Sequence, residues 1–295
     1  MRAAERGFLL LTSHLGDPDR QVLSTAQLRI LADRAKQLEP SGEDREMSEK
    51  DLVKLGYNRD MARRIVTLLE EEAVLEHYLH CAAREECTPI TRMNPEYPLI
   101  LRQRLGLDSP GCLWIKGDKS ILNTPAVSLV GRRELREENR RFAETAGRQA
   151  ALQGLTLVSG NARGADRTAQ AACLEAGGRV ISIVADELCR QNPTENVLYV
   201  SEEDFDAPFS AQRALSRNRS IHAMGRMVFV AQSDLHKGGT WDGTVKNLRF
   251  GWSPVACFRD GSEASEQLEQ MGAYLIGIEE LSDLGALIQS ELRFL

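Results

Sequence analysis

The chain of 295 residues carries 37 Lys+Arg against 43 Asp+Glu, a net charge of −6, with 42% hydrophobic and 5% aromatic residues. That composition argues against disorder and gives enough chain for one large domain or two modest ones. The acidic total argues against a general nucleic-acid coat protein, which would be basic, but the charge is unevenly spread: residues 1–88 carry −4, residues 89–258 carry +4 and residues 259–295 carry −6.

The opening Met-Arg-Ala-Ala-Glu-Arg-Gly leads into four apolar residues, Phe8 to Leu11, too few for a signal-peptide core. No run approaches the ~18 apolar residues of a membrane span. Six cysteines (81, 87, 112, 173, 189, 257) show no CxxC and no His at metal spacing. Cys173 and Cys257, in apolar surroundings, read as small core hydrophobes. The expectation is a reduced, soluble, cytoplasmic protein without a disulfide framework, metal or cofactor.

Residues 1–88 are rich in Leu, Ala, Glu and Arg at helical spacing. Leu28, Leu31, Ala35 and Leu38 mark one helix face, stopped by Pro40-Ser41-Gly42. Leu52, Leu55, Ile65, Leu68 and Leu69 outline two helices around Gly56-Tyr57-Asn58, a turn that reads either as a DNA-backbone-binding helix-hairpin-helix or, better, as a glycine helix C-cap in a small bundle. Prolines 89, 95, 98 and 110 then predict an extended connector over 89–124, with one strand at Cys112–Ile115.

From Ala126 short apolar runs alternate with amphipathic helices. Strands are predicted at Ala126–Val130, Leu155–Ser159, Arg179–Val184, Met227–Val230, Pro254–Phe258 and Ala273–Ile276, with helices over 136–153 and 166–176. The pattern predicts an α/β domain with a parallel sheet covered on both faces, whose ligands bind beyond the carboxyl ends of the strands.

The loops at those ends carry the chemistry. Gly131-Arg132-Arg133 follows the first strand, and Ser159-Gly160-Asn161-Ala162-Arg163-Gly164-Ala165-Asp166 follows the second. Glycines let the backbone approach a ligand, a helix N-terminus aims N–H groups at it, and arginine forks suit phosphate. Neither G-x-G-x-x-G nor a P-loop is present. Asp166 reads as a helix N-cap rather than a base.

Between Asp206 and Asp234 no acidic residue occurs, while Arg213, Arg217, Arg219 and Arg226 do: a binding patch or a solvated face. His236-Lys237-Gly238-Gly239-Thr240 offers a second phosphate cradle, or a helix capped by Thr240. Glu202 to Asp204 read as a solvated turn. No nucleophile–base arrangement emerges, so the chain reads as a non-enzyme.

The ordered set Val130-Gly-Arg-Arg, Ser159-Gly-Asn-Ala-Arg-Gly-Ala-Asp, Arg217-Asn218-Arg219-Ser-Ile and Gly238-Gly-Thr resembles the DprA/Smf DNA-processing family, as do Pro95-Glu-Tyr-Pro-Leu and Leu113-Trp-Ile-Lys-Gly-Asp. The likeness covers roughly residues 89–258. It implies an extended Rossmann-like domain over 89–295; as a departure from the family, no C-terminal winged helix is expected to follow. A small helical domain of helix-hairpin-helix or SAM-like type precedes it over 1–88. It implies single-stranded DNA as ligand, a homodimer, and a RecA-type recombinase as partner. Carried over by position, Arg132 or Arg133, Arg163, Arg217, Arg219 and Lys237 would meet phosphates. Gly131, Gly160, Gly164, Gly238 and Gly239 would admit the backbone, with Ser159, Asp166 and Thr240 in the same loops, and Asn218 would orient the arginine loop.

Departures from the family pattern include Arg132 in place of a small residue, Ala165 in place of Ile, and Phe258-Arg-Asp-Gly in place of Pro-Gly. They suit a divergent branch, possible also as an antitoxin-like partner of a toxin in a phage-defence module. A third reading, a LOG-type phosphoribohydrolase, lacks its acid/base glutamate, because Val245-Lys246-Asn247 stands at that place.

Overall fold

The computed structural model describes residues 1–37 and 47–292, with backbone alone for 290–292. Two compact units are present: Met1–Tyr97 with Gly111–Leu113, and Pro98–Pro110 with Trp114–Leu295.

The first unit holds α1 (Ala3–Thr12), α2 (Thr25–Ala35), α3 (Glu49–Lys54), α4 (Arg59–Glu70), α5 (Glu72–Arg84) and β1 (Cys87–Thr91). Side-chain oxygens of Ser24, Ser48 and Asn58 cap α2, α3 and α4 by accepting from the amides of Gln27, Asp51 and Met61. The apolar faces meet in a core of Leu11, Leu23, Leu31, Leu52, Ile65 and Leu68. Gly56, at φ +86°, closes α3. The Tyr57 amide donates to the Leu52 carbonyl (3.1 Å) and the Gly56 amide to that of Val53 (3.0 Å), the paired bonds of a Schellman cap. Leu38 and Pro40-Ser41-Gly42, expected to finish α2, lie outside the described residues.

The rest of the chain contains α6 (Leu99–Leu105), β2 (Cys112–Gly117), β3 (Ala126–Val130), α7 (Glu137–Leu152), β4 (Thr156–Ser159), α8 (Ala165–Glu175), β5 (Val180–Ile183), β6 (Val197–Ser201), α9 (Ala211–Ser216) and α10 (Asn218–Met224). It continues through β7 (Val228–Val230), α11 (Gly238–Phe250), β8 (Val255–Phe258), α12 (Glu263–Gln270), β9 (Tyr274–Ile276) and α13 (Leu284–Leu292). The stretch 89–124 is therefore not the extended connector expected: Pro98 stands at the N-cap of α6, where its missing N–H costs nothing.

The strands run in the order β2-β6-β5-β4-β3-β7-β8-β9. All neighbours from β6 to β9 are parallel, and β2 pairs antiparallel with β6. The chain is thus α/β, with a Rossmann-like, mostly parallel sheet. Every residue of β3, β4, β5 and β7 is buried, as a sheet covered on both faces requires. Phe142, Ala143, Ala146 and Ala150 of α7 and Ala165, Ala169 and Cys173 of α8 pack on it. Burial pushes the Cys173 and Cys257 thiols up to about 11 and about 12, and all six cysteines are free.

Strand β6 escaped the sequence reading. It follows β5 through a short 3-10 turn at Leu188–Arg190 rather than an amphipathic helix, so the strand–helix alternation is broken there. From β3 the chain builds outward through β4, β5 and β6, then returns to the other side of β3 with β7. The order reverses between β3 and β7, where ligands of such sheets bind. No described helix is long and apolar enough to cross a membrane.

Candidate functional site

A cavity of about 500 Å³ opens at this reversal point. Its wall comes from the loop after β3 (Gly131 to Glu134), from Ala162 and Asp166 after β4, from Asp234 after β7, from Lys237 to Thr240 at the start of α11, and from α9 and α10. Two non-glycine residues in these loops, Asn161 and His236, both at φ +58°, adopt the left-handed conformation. Such conformations persist only where the surroundings impose them.

Asp166 organises the loop after β4. It is buried, and its Oδ2 accepts the amides of Gly160 (3.0 Å) and Ala162 (3.2 Å). The expected N-cap role is therefore corrected. Gly164 at φ +89° occupies the N-cap, and Asp166, inside the helix, reaches back to satisfy the preceding turn. Burial raises the Asp166 carboxyl above its ordinary range, against the pull of the Arg217 charge and the two amides.

Arg217, between α9 and α10, is 8% exposed and lines the cavity. Its Nε and Nη1 are buried without a hydrogen-bond partner. Burial lowers its pKa, while the charges of Asp166, Glu202 and Asp186 support the cation. Asn218 donates from Nδ2 to the Gly239 carbonyl (3.1 Å), tying α10 to the first turn of α11. No side chain caps α11, and its first residues, Gly238 to Thr240, line the cavity. Thr240 is not the N-cap: Lys237 holds that place, and Thr240 Oγ1 donates to the Gly131 carbonyl (2.9 Å).

The other sequence-predicted residues divide. Arg132, Arg133, Lys237, Gly131, Gly238 and Gly239 line the cavity. Arg132 pairs with Asp234 at 2.9 Å, whereas Arg133 and Lys237 have no ion pair among the described residues. Arg163 points outward and pairs with Glu134 at 2.9 Å, both more than 70% exposed. Ser159 is fully buried, its Oγ accepting from Gln170 at 2.5 Å. Gly160 and Gly164 shape the loop without lining the cavity.

Arg219 turns away from the cavity to Glu202 (3.3 Å), whose side chain is only 6% exposed. Glu202 is therefore no solvated-turn residue, and the arginine stretch 207–233 does have a compensating carboxylate, supplied from the end of β6. Arg213 donates to the carbonyls of Ala207 and Pro208.

The wall also contains residues the sequence reading passed over. Phe209, Ala211, Ala214 and Leu215 give one side an apolar surface, with Phe209 58% exposed. An aromatic between Pro208 and Ser210 on a loop was the available signal. Lys246 and Asn247, at the place of the LOG-type glutamate, serve structure: Lys246 pairs with Asp242 (2.8 Å), and buried Asn247 accepts the Ser253 amide (2.9 Å). Among the described residues no group of three or more His, Cys, Asp or Glu is placed to hold a metal ion.

A family profile described as DNA recombination-mediator protein A matches residues 88–284. Protein Smf of Escherichia coli (strain K12) is 28% identical over 183 residues, which is 57% of this chain and 49% of Smf. DNA processing protein DprA of Streptococcus pneumoniae (strain ATCC BAA-255 / R6) is 28% identical over 186 residues, 57% of this chain and 64% of that protein. The chain thus spans between about half and just under two thirds of these curated relatives. The X-ray structure of S. pneumoniae DprA superposes with a TM-score of 0.69 at 22% identity, covering 89% of this chain and 93% of the other. The DprA structure from Helicobacter pylori, described by its single-stranded DNA binding mode, gives 0.56 at 24% identity, covering 70% and 96%. These two superpositions concern the fold; the profile match takes in the sheet and every loop that lines the cavity, and by it the chain belongs to the DNA recombination-mediator protein A family.

Proposed function

We propose that this chain is a non-enzymatic, single-stranded DNA-binding protein of DNA processing and recombination. It holds backbone phosphates in the cavity at the carboxyl ends of β3, β4 and β7. The observation that carries this reading is Arg217. A guanidinium buried to 8% exposure with two nitrogens lacking partners is costly to keep. An anion in the cavity would offset this buried positive charge from the side on which Arg217 lines the wall. Arg133 and Lys237, without ion pairs, and the uncapped amides of α11 stand ready for the same charge. Family membership and the stated ligand of the H. pylori neighbour support DNA as that anion. The homodimer and the RecA-type recombinase partner belong to the same reading.

The test is fluorescence anisotropy with single- and double-stranded oligonucleotides across salt. Log affinity for single strands should fall linearly with log salt, by about 0.7 per phosphate neutralised, and Arg217→Ala should weaken binding about tenfold or more. A flat salt dependence together with unchanged binding by Arg217→Ala would overturn the proposal.

A further inference from the structure

The phosphate cavity does not by itself explain a preference for unpaired strands, because duplexes present phosphates too. A second feature of the same unit has the missing property. Phe250, the last residue of α11, and Trp252 stack with ring centroids 5.7 Å apart and planes 14° from parallel. Phe250 is 61% exposed and Trp252 half-buried, so an aromatic surface faces outward. The Arg249 guanidinium lies 5.4 Å from the Phe250 ring centre, which adds a cation to the platform.

Trp252 also lines a separate cavity of about 300 Å³, together with Arg219 and Lys246. That cavity shares Leu215 and Asn218 with the phosphate cavity, so the two are neighbours across one side-chain wall. From Gly239 in the first cavity to Lys246 in the second, α11 rises about 10 Å at 1.5 Å per residue. A strand leaving the phosphate site along α11 passes Arg219 and Lys246, already paired with Glu202 and with Asp242 of the same cavity wall, and then reaches the exposed ring pair. What this stretch adds is aromatic surface rather than free charge.

We infer that Phe250 and Trp252 form a stacking platform for an unpaired base of the strand whose phosphates occupy the Arg217 cavity. Aromatic faces accept any base whose own face is free, and a paired base inside a duplex offers none. The platform would thus supply the selection for single strands that phosphate contacts lack. This inference rests on the proposed single-stranded DNA binding.

Phe250→Ala and Trp252→Ala are tested singly and together, with thermal unfolding checking the fold; Phe250→Ala, at an exposed position, keeps the test valid should loss of half-buried Trp252 disturb packing. Binding is measured to single strands of increasing length, to duplex, and to a single strand with one abasic position moved along it. The platform predicts that wild type loses roughly five- to a hundredfold in affinity when one particular position is abasic. The variants lose that sensitivity and most of the preference for single strands, and keep the salt slope, since stacking neutralises no phosphate. Variants that bind every oligonucleotide as wild type does, while Arg217→Ala still weakens binding, would overturn the platform alone. Absence of single-strand binding by wild type would overturn both readings.

Discussion

Gly160, in the loop after β4, and Arg217, between α9 and α10, meet so closely that a Cβ at position 160 would overlap the Arg217 guanidinium. The glycine of the Ser-Gly-x-Ala-Arg-Gly loop is thus explained by an arginine packed against it rather than by a ligand touching it. Asp166 completes the arrangement, accepting the Gly160 amide while its charge supports Arg217.

Gly160→Ala should act on the site through Arg217. Overfilling a packed contact costs about 1–3 kcal/mol, and the guanidinium has to leave its place in the cavity wall. Titration with a labelled single strand should show affinity falling toward that of Arg217→Ala. Wild-type affinity in the alanine variant would mean that Arg217 does not contribute from this position.

Asp166→Ala removes the acceptor for two loop amides and the carboxylate nearest in effect to Arg217. The expected loss of stability is about 1–3 kcal/mol, read from urea unfolding. Asp166→Asn, which keeps an oxygen for the same amides, should lose clearly less. Equal losses in the two variants would show that the amide bonds are not what Asp166 provides.

Arg163→Ala should change affinity only slightly, since this side chain is exposed, does not line the cavity and is already paired with Glu134. Arg217→Ala should lose tenfold or more and lower the salt slope by about one. Comparable losses in both would argue that the strand runs over the outer rim.

His222 on α10 makes stability depend on acid. It is fully buried with neither ring nitrogen partnered, and burial pushes its pKa down to about 3. The unfolded imidazole takes up its proton near pH 6.5. Between those values the unfolded state binds more protons, so stability falls as pH drops from about 6.5, by up to about 1.4 kcal/mol per pH unit. Urea midpoints from pH 7 to 5 should decline for wild type and much less for His222→Leu. Parallel declines would place the acid sensitivity elsewhere.

Much of this molecule is legible along the chain. Two-sided burial makes β3, β4, β5 and β7 read as short apolar runs, and a helix between successive parallel strands makes the alternation plain. Strand β6 was lost because its connection lacks a helix, and α6 because prolines mask a helix that begins just after one of them. The four loops were visible as glycines and arginines in order. The place of each side chain was not: Asp166 and Thr240 lie inside α8 and α11 rather than at their N-caps, Ser159 is buried at the end of β4, and Arg163 points outward to Glu134.

Sequence alone therefore determined the α/β sheet, the glycine-containing loops that line the cavity and the concentration of arginine in them, because these follow from local periodicity and from residue type. Tertiary structure alone decided which cations are available. Arg217 and Arg219 stand two residues apart at the start of a helix, about 200° around its axis, so one enters the cavity and the other leaves it. Whether a cation is already paired depends on carboxylates brought from elsewhere: Glu202 at the end of β6 for Arg219, Asp234 after β7 for Arg132 and Glu134 after β3 for Arg163. Those pairings arise when the strands assemble side by side, since ion pairs form by distance in space and the sequence records only distance along the chain.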